Sequence, residues 1–320
     1  MLTIEKIREA AEFLGGRIRE TPVEHSPALS EVLGVEVWLK LENLQVTGSF
    51  KARGALFSLY KIKESGISHI STCSAGNHGK GVAWAAQQLG VKATVFVPSG
   101  VDPVKYDAMK RMGVDVRKSA FMGYDDTERW AKEESVRLEI PFVSAYDDDN
   151  VMAANGGSVA VEVEQQLPHA NTFVMPVGGG GHSGGFAYYM KQADPTNQIV
   201  LCQHAESAGF LRSVEAGEPV LELPAIETLA SGLEGGFGVR TWDVLKDRYD
   251  EIRLVKESEL RAAIRWMVDE HQIIMEGSSA VTVAACLHPD MPRPTGPVVI
   301  FISGRNIARS TLMEVLGEAD

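Results

Sequence analysis

The chain has 320 residues, 44% of them hydrophobic, enough for a sizeable core and, by length, for two domains or one large α/β unit. Its formal charge of -12 opposes the basic surface that nucleic acid attracts, so no nucleic-acid partner is expected. No apolar run approaches a membrane span of about eighteen residues, and the N-terminus lacks a signal-peptide core; a soluble, cytoplasmic protein is expected. Cys73, Cys202 and Cys286 are odd in number, far apart and set in apolar or small-residue segments, which predicts buried free thiols.

Residues 3–15 have helical apolar spacing and open on Thr3. Val37–Glu42 alternates like a strand and leads into Thr47-Gly48-Ser49-Phe50-Lys51, after which Ala55, Leu56, Leu59, Tyr60 and Ile62 repeat at helical spacing. From Ser68 onward strands and helices alternate: strand His69–Cys73, helix Gly79–Leu89, strand Ala93–Val97, helix Val104–Met112, extended Val114–Arg117, helix Thr127–Leu138, extended Phe142–Ala145. Phe173–Val177 and Ile199–Gln203 read as strands, and Ser258–Val268 as a helix with Ser258 at its N-cap. Val298–Ile302 is continuously apolar, as a strand buried on both faces requires. The pattern is α/β, built from βαβ units and mainly parallel sheets. Residues 213–240 lack regular pattern and carry five glycines, which suits a functional or mobile segment.

Four stretches carry chemistry. Lys51 falls in the first turn of a helix, where the macrodipole disfavours a cation; it is either well solvated or held towards the free amine that a Schiff-base lysine needs. Ser74-Ala75-Gly76-Asn77-His78 lies at the C-terminal end of a strand, where ligands bind in open α/β sheets, although Asn77 could equally cap the helix. Gly178 to Gly185 holds six glycines in eight residues after a strand. Close approach of backbone N–H groups to an anion explains that composition, with phosphate the natural guest. A dinucleotide suits it less, because the spacing is not G-x-G-x-x-G. Ser303-Gly304-Arg305-Asn306 ends the last buried strand at the same edge.

A reactive amine, a phosphate cradle and polar strand ends are what pyridoxal phosphate requires. Lys40 to Ala55, with Ser74–His78, Gly178–Gly181 and Ser303-Gly304-x-Asn306, resembles in order and spacing the fold-type II pyridoxal-phosphate enzymes of the serine/threonine dehydratase and serine racemase branch. The resemblance covers essentially the whole chain. It implies two parallel or mixed sheets flanked by helices, with a large cofactor-binding domain of residues 1–66 and 146–320, a small domain of 67–145, and the active site between them. It further implies that Lys51 binds the cofactor and later removes the α-proton. Phe50 would pack on the ring and Asn77 would bond its hydroxyl. Gly178, Gly179, Gly180 and Gly181 would bind the phosphate, and Ser303 would face the ring nitrogen. Ser74, Ala75, Gly76, Asn77 and His78 would hold the substrate.

The implied reaction is α,β-elimination: a β-hydroxy amino acid of the serine, threonine or 3-hydroxyaspartate type yields a 2-oxo or imino acid and ammonia. A β-replacement transferase or a racemase of the same fold is the alternative. Racemases carry a serine where this chain has Ala75, which favours dehydration. Arg129 aligns with an arginine of the racemase branch and suits a second substrate carboxylate, or else pairs with Glu133 on a solvated helix face. Glu206 matches the first ligand of a divalent-cation site (Mg2+ or Mn2+), but Phe210 and Arg212 occupy its later part, making a metal the weaker expectation. The family also implies a homodimer.

Overall fold

The computed structural model describes residues 1–74, 76–101 and 103–318. Among the described residues the strands are β1 (Val23–His25), β2 (Val37–Lys40), β3 (His69–Cys73), β4 (Lys92–Val97), β5 (Asp115–Lys118), β6 (Thr172–Pro176), β7 (Gln198–His204), β8 (Glu251–Val255) and β9 (Val298–Phe301). They form a six-stranded sheet in the order β1-β2-β9-β6-β7-β8 and a three-stranded sheet in the order β3-β4-β5. Every pairing is parallel except that of β1 with β2. The apolar run in β9 is fully buried between β2 and β6, as its lack of polar alternation demands.

Parallel pairing decides where the loops emerge. Lys40 at the end of β2 lies opposite Phe301 at the end of β9, and β6 runs alongside. The segments after β2, β6 and β9 therefore leave one edge of the large sheet. The loop after β3 reaches that edge from the small sheet, since the Asn306 side chain donates to Asn77 Oδ1 at 2.6 Å. This is the carboxyl-edge placement expected for a ligand site in parallel sheets.

Local signals set most element ends. Thr3 caps the first helix, Ile4–Leu14, by accepting from Lys6 N. The helix expected at Ser258 instead runs Glu257–His271 with Lys256 at the N-cap, because Glu259 reaches back to accept from Lys256 N at 2.6 Å. Phe142 forms only an isolated bridge with Ser71 rather than a strand. The three cysteines are free and buried. No helix among the described residues is long and apolar enough to cross a membrane.

A buried ionic cluster anchors the helix Lys51–Glu64. Arg53, Lys40 and Glu42 have no exposed surface. Arg53 clasps Glu42 with Nε and Nη2 at 2.9 and 2.8 Å, and its Nη1 donates to Glu162 Oε1 at 2.6 Å. Lys40 Nζ donates to Glu162 Oε2, Gln166 Oε1 and Thr21 O. Thr21 Oγ1 completes the set by donating to Glu42 Oε1 at 2.5 Å. Two cations balance two carboxylates, and each carboxylate oxygen accepts at least one hydrogen bond, the condition under which buried charge is tolerated. A second tie comes from Asn155, in the π-turn Ala153–Gly157, whose Oδ1 accepts from Gly54 N, one of the first-turn N–H groups a helix leaves open.

Arg53→Met is expected to cost about 3–5 kcal/mol in urea unfolding, because it leaves the fully buried Glu42 carboxylate without its paired cation. The Arg53 and Lys40 cations and the Thr21 hydroxyl hold the Glu42 carboxyl down near 2, against the opposing effect of burial. A depressed carboxyl stabilises the fold above its unfolded value of 4.5 and loses that contribution as pH falls towards 2. The acid limb of stability should therefore be shallower in Glu42→Gln than in the parent.

Candidate active site

Lys51 is the first residue of its helix and is half-buried. Its Nζ donates to Ala145 O at 3.0 Å and stands 5.2 Å from the centre of the Phe50 ring. Burial pushes its ammonium down to about 8, while the carboxylate of Glu276 pulls the other way. The backbone before it is shaped by Thr47, in the left-handed region at φ 65°, and Gly48 at φ 80°. A Cβ on Gly48 would stand 2.9 Å from Asn306 Oδ1, so this turn requires glycine both for its conformation and for space.

A bonded cluster of amides and hydroxyls surrounds the lysine. Asn77, first residue of the helix Asn77–Leu89, donates to Glu276 Oε1 at 2.6 Å and accepts from Asn306 Nδ2 at 2.6 Å. Glu276 Oε2 accepts from Asn306 N at 3.0 Å. Lys80 Nζ donates to Asn306 Oδ1 at 2.8 Å. Ser303 is buried, its Oγ 3.0 Å from Ser279 Oγ, and its carbonyl accepts from Phe50 N at 3.2 Å. Ser279 is fixed in turn by accepting from Gly304 N and donating to Gly304 O.

The glycine loop adjoins this cluster through Ala145 and Tyr146. Ala145 O holds Lys51, while the Tyr146 ring lies where a Cβ on Gly179 would be, 2.4 Å away. Gly178 packs against Gly232 and Leu233, and Gly180, at φ +86°, against Phe237. The segment between the helices Gly209–Ala216 and Val239–Leu245 thus packs over the loop; this is where the irregular, glycine-rich stretch of sequence goes. Gly181 opens the helix Gly181–Ala193, which has no side-chain cap, leaving its first N–H groups to an anion.

His78 and His182 are both buried, and burial drives each imidazole down to about 3, so both are neutral. His78 Nε2 lies 2.9 Å from Thr72 Oγ1. Because Thr72 donates its own proton to Val143 O, His78 carries its hydrogen on Nε2. The ring therefore turns to Thr72 and is not a cationic clamp. His182 stacks on Phe50 at 4.3 Å. Ser74 Oγ accepts from Gly76 N at 3.1 Å, and Ala75 lies outside the described residues.

Arg129 and Glu206 stand apart. Arg129 is half-exposed and pairs with Asp126 and Glu222, neither of which belongs to the lysine cluster, and not with Glu133. Glu206 is exposed, and no group of three or more His, Cys, Asp or Glu among the described residues is placed to hold a metal. Conversely, Glu276, Ser279 and Lys80 gave no strong sequence signal. Glu276-Gly277-Ser278-Ser279 stands where the family often has Glu-Pro-Ser-Gly or a close variant, which assigns these residues no role, and Lys80 carries no motif.

A desolvated lysine and a glycine loop at the shared edge of two parallel sheets define an enzyme of the fold-type II class. Residues 15–304 match the model of the pyridoxal-phosphate dependent enzymes, and the chain belongs to that family. It is 35% identical to an L-threonine ammonia-lyase of Geobacter sulfurreducens over 99% of this chain and 78% of that protein. It is 31% identical to the catabolic L-threonine dehydratase of Escherichia coli over 100% of this chain and 97% of that one. A solved serine racemase of Dictyostelium discoideum superposes with a TM-score of 0.87 at 30% identity, covering 96% of this chain and 99% of that one.

The residues present fit pyridoxal phosphate. Thr47 Oγ1, Ser49 Oγ and His78 Nδ1 are buried without partners around Lys51, an uncommon state for polar atoms that a polar guest would relieve. The uncapped helix start behind the glycine loop suits its phosphate.

Two outcomes check this geometry. Acylation of Lys51 in cofactor-free protein, followed by mass spectrometry, should rise with pH through a midpoint near 8 rather than 10.5, and Glu276→Gln should lower that midpoint further. Gly180→Ala should lose about 1–3 kcal/mol in urea unfolding from backbone strain alone, with more from the clash with Phe237.

Proposed function

We propose that the protein is a pyridoxal-phosphate dependent dehydratase, releasing ammonia and a 2-oxo acid from a β-hydroxy amino acid of the serine, threonine or 3-hydroxyaspartate type. The observation that carries this reading is Lys51: its amine is desolvated to about 8, tied to Ala145, and set between the Asn77–Glu276 amide cluster and the glycine loop packed by Tyr146. The names of the threonine ammonia-lyase and dehydratase relatives support the same reaction.

In this reading Gly178–Gly181 and the helix start behind them would hold the phosphate, Asn77 would bond the ring hydroxyl, and Ser303 and Phe50 would contact the ring. Bound there, the cofactor supplies an electron sink for the charge left at the substrate α-carbon. Lys51 Nζ, pushed towards its free-amine form by burial, accepts the α-proton. Ser303 would offer the ring nitrogen a neutral hydroxyl, which does not hold that nitrogen protonated as a carboxylate would. Ser74, Asn77 and the N–H groups opening the helix Asn77–Leu89 receive the substrate carboxylate, a task the neutral His78 ring, turned to Thr72, does not serve.

We read residues 67–145, which carry the three-stranded sheet, as a smaller domain closing on residues 1–66 and 146–320. A homodimer working in the cytoplasm follows by family analogy.

The test is a panel of L-serine, L-threonine, both 3-hydroxyaspartate diastereomers and phenylserine, with ammonia and oxo acid assayed and the visible spectrum recorded. Turnover without an added nucleophile, falling by at least about 1,000-fold in Lys51→Ala, is the expected result. A yellow protein that releases no ammonia from any of these substrates would transfer the assignment to β-replacement. Arg129→Ala should leave the turnover of L-serine and L-threonine unchanged.

A further inference from the structure

The cluster beside Lys51 contains a cation that the proposed chemistry does not use. Lys80 lies in the helix Asn77–Leu89, one turn after Asn77, and is half-buried. Its Nζ donates to Asn306 Oδ1 at 2.8 Å. Asn306 Nδ2 donates to Thr47 O at 2.9 Å and to Asn77 Oδ1 at 2.6 Å. Asn77 Nδ2 donates to Glu276 Oε1 at 2.6 Å.

The polarity of this chain is forced by groups that have only one role. An ammonium can only donate, and a backbone carbonyl and a carboxylate can only accept. Asn306 must therefore turn its oxygen to Lys80 and its nitrogen to Thr47 and Asn77. Asn77 must then turn its oxygen to Asn306, which leaves its amide nitrogen one N–H for Glu276 Oε1 and a second N–H to offer to a ligand. Amide orientation is ordinarily ambiguous between oxygen and nitrogen, and here an obligate donor at one end and obligate acceptors at the other resolve it. The Lys80 cation also polarises the amides in sequence, making each a stronger donor to the next.

We propose that Lys80 is a positioning residue, acting through Asn306 and Asn77 to present an N–H donor to the ring hydroxyl of the cofactor. The proposal rests on the reading above that Asn77 faces that hydroxyl. Methionine at position 80 keeps the aliphatic stem but not the ammonium, so Asn306 Oδ1 loses its donor and the amides lose the polarisation passed along them.

The experiment titrates cofactor-free protein with pyridoxal phosphate and, separately, with the analogue lacking the ring hydroxyl, following quenching of intrinsic fluorescence. Lys80→Met is expected to raise Kd about fivefold for pyridoxal phosphate, roughly the worth of one ordinary hydrogen bond, and less than about twofold for the deoxy analogue. Lys80→Arg, which keeps an obligate donor, should restore most of the difference. An equal loss for both ligands would reduce Lys80 to a structural prop and overturn the proposal. So would an unchanged Kd for pyridoxal phosphate. Asn306→Leu should reproduce the discrimination seen in Lys80→Met; if it weakens neither ligand, the relay is refuted. Failure of the parent protein to bind pyridoxal phosphate at all would instead bring down the cofactor reading of the site, and this proposal with it.

Discussion

The bidentate clasp of Arg53 on Glu42 is the interaction on which the rest of the site depends. It joins the turn that follows β2 to the first turn of the lysine helix, with both side chains fully buried. Buried charge contributes little net stability unless fully partnered, but a partnered set is highly specific, because any shift of one element strands a charge. Lys40 and Glu162 extend the set to the helix Ser158–Gln166, so three elements have one mutual position. Lys51 sits two residues before Arg53, and its location is inherited from that lock. Asn155 adds a second constraint by taking the Gly54 N–H that the helix itself cannot satisfy.

With its position fixed, Lys51 is tuned by what surrounds it. Desolvation lowers its affinity for a proton, and Glu276 limits how far. Glu276 is in turn engaged by Asn77 and the Asn306 backbone, so its carboxylate is oriented by the residues that line the site. A positive helix end under the lysine acts in the same direction as burial. The outcome is a lysine that is partly free amine near neutrality, which neither a solvated surface lysine nor a fully ion-paired one would be.

The glycine loop follows a different logic, one of exclusion. Tyr146, Leu233 and Phe237 crowd the sites where side chains would stand on Gly179, Gly178 and Gly180. Only backbone remains to face a ligand, and the helix behind it begins without a cap. Close packing of the neighbouring helices is enforced in the same way, since a Cβ on Gly156 would lie 1.9 Å from His182 O and one on Gly185 2.0 Å from Met152 O. Backbone presentation and helix contact thus make the same demand for glycine across one short stretch.

Much of this could be read from the chain alone. The alternation of strand and helix patterns, the placement of β9 and the local signatures around Lys51, Asn77, Gly178–Gly181 and Ser303 are encoded in residues close together in sequence, and periodicity and turn chemistry act at that range. The segment 213–240 was legible only as irregular, because its reason for existing, packing on a loop some fifty residues away, is a tertiary one. The helix at Glu257 began earlier than its serine suggested because Glu259 closed a box on Lys256. Arg129 shows the limit most plainly: its sequence neighbours allowed either a substrate clamp or a surface pair with Glu133, and the fold brought Glu222 to it from ninety-three positions away. Likewise Lys80 lies 226 positions from Asn306, and Asn306 30 from Glu276, and no local pattern could have announced that an ammonium, a carboxylate and two amides form one bonded chain. Short-range sequence determined which elements form and which of their ends carry reactive groups. Only the packing of the two sheets and their helices decided which of those groups meet, because donors, acceptors and charges acquire their partners when water is excluded between distant parts of the chain.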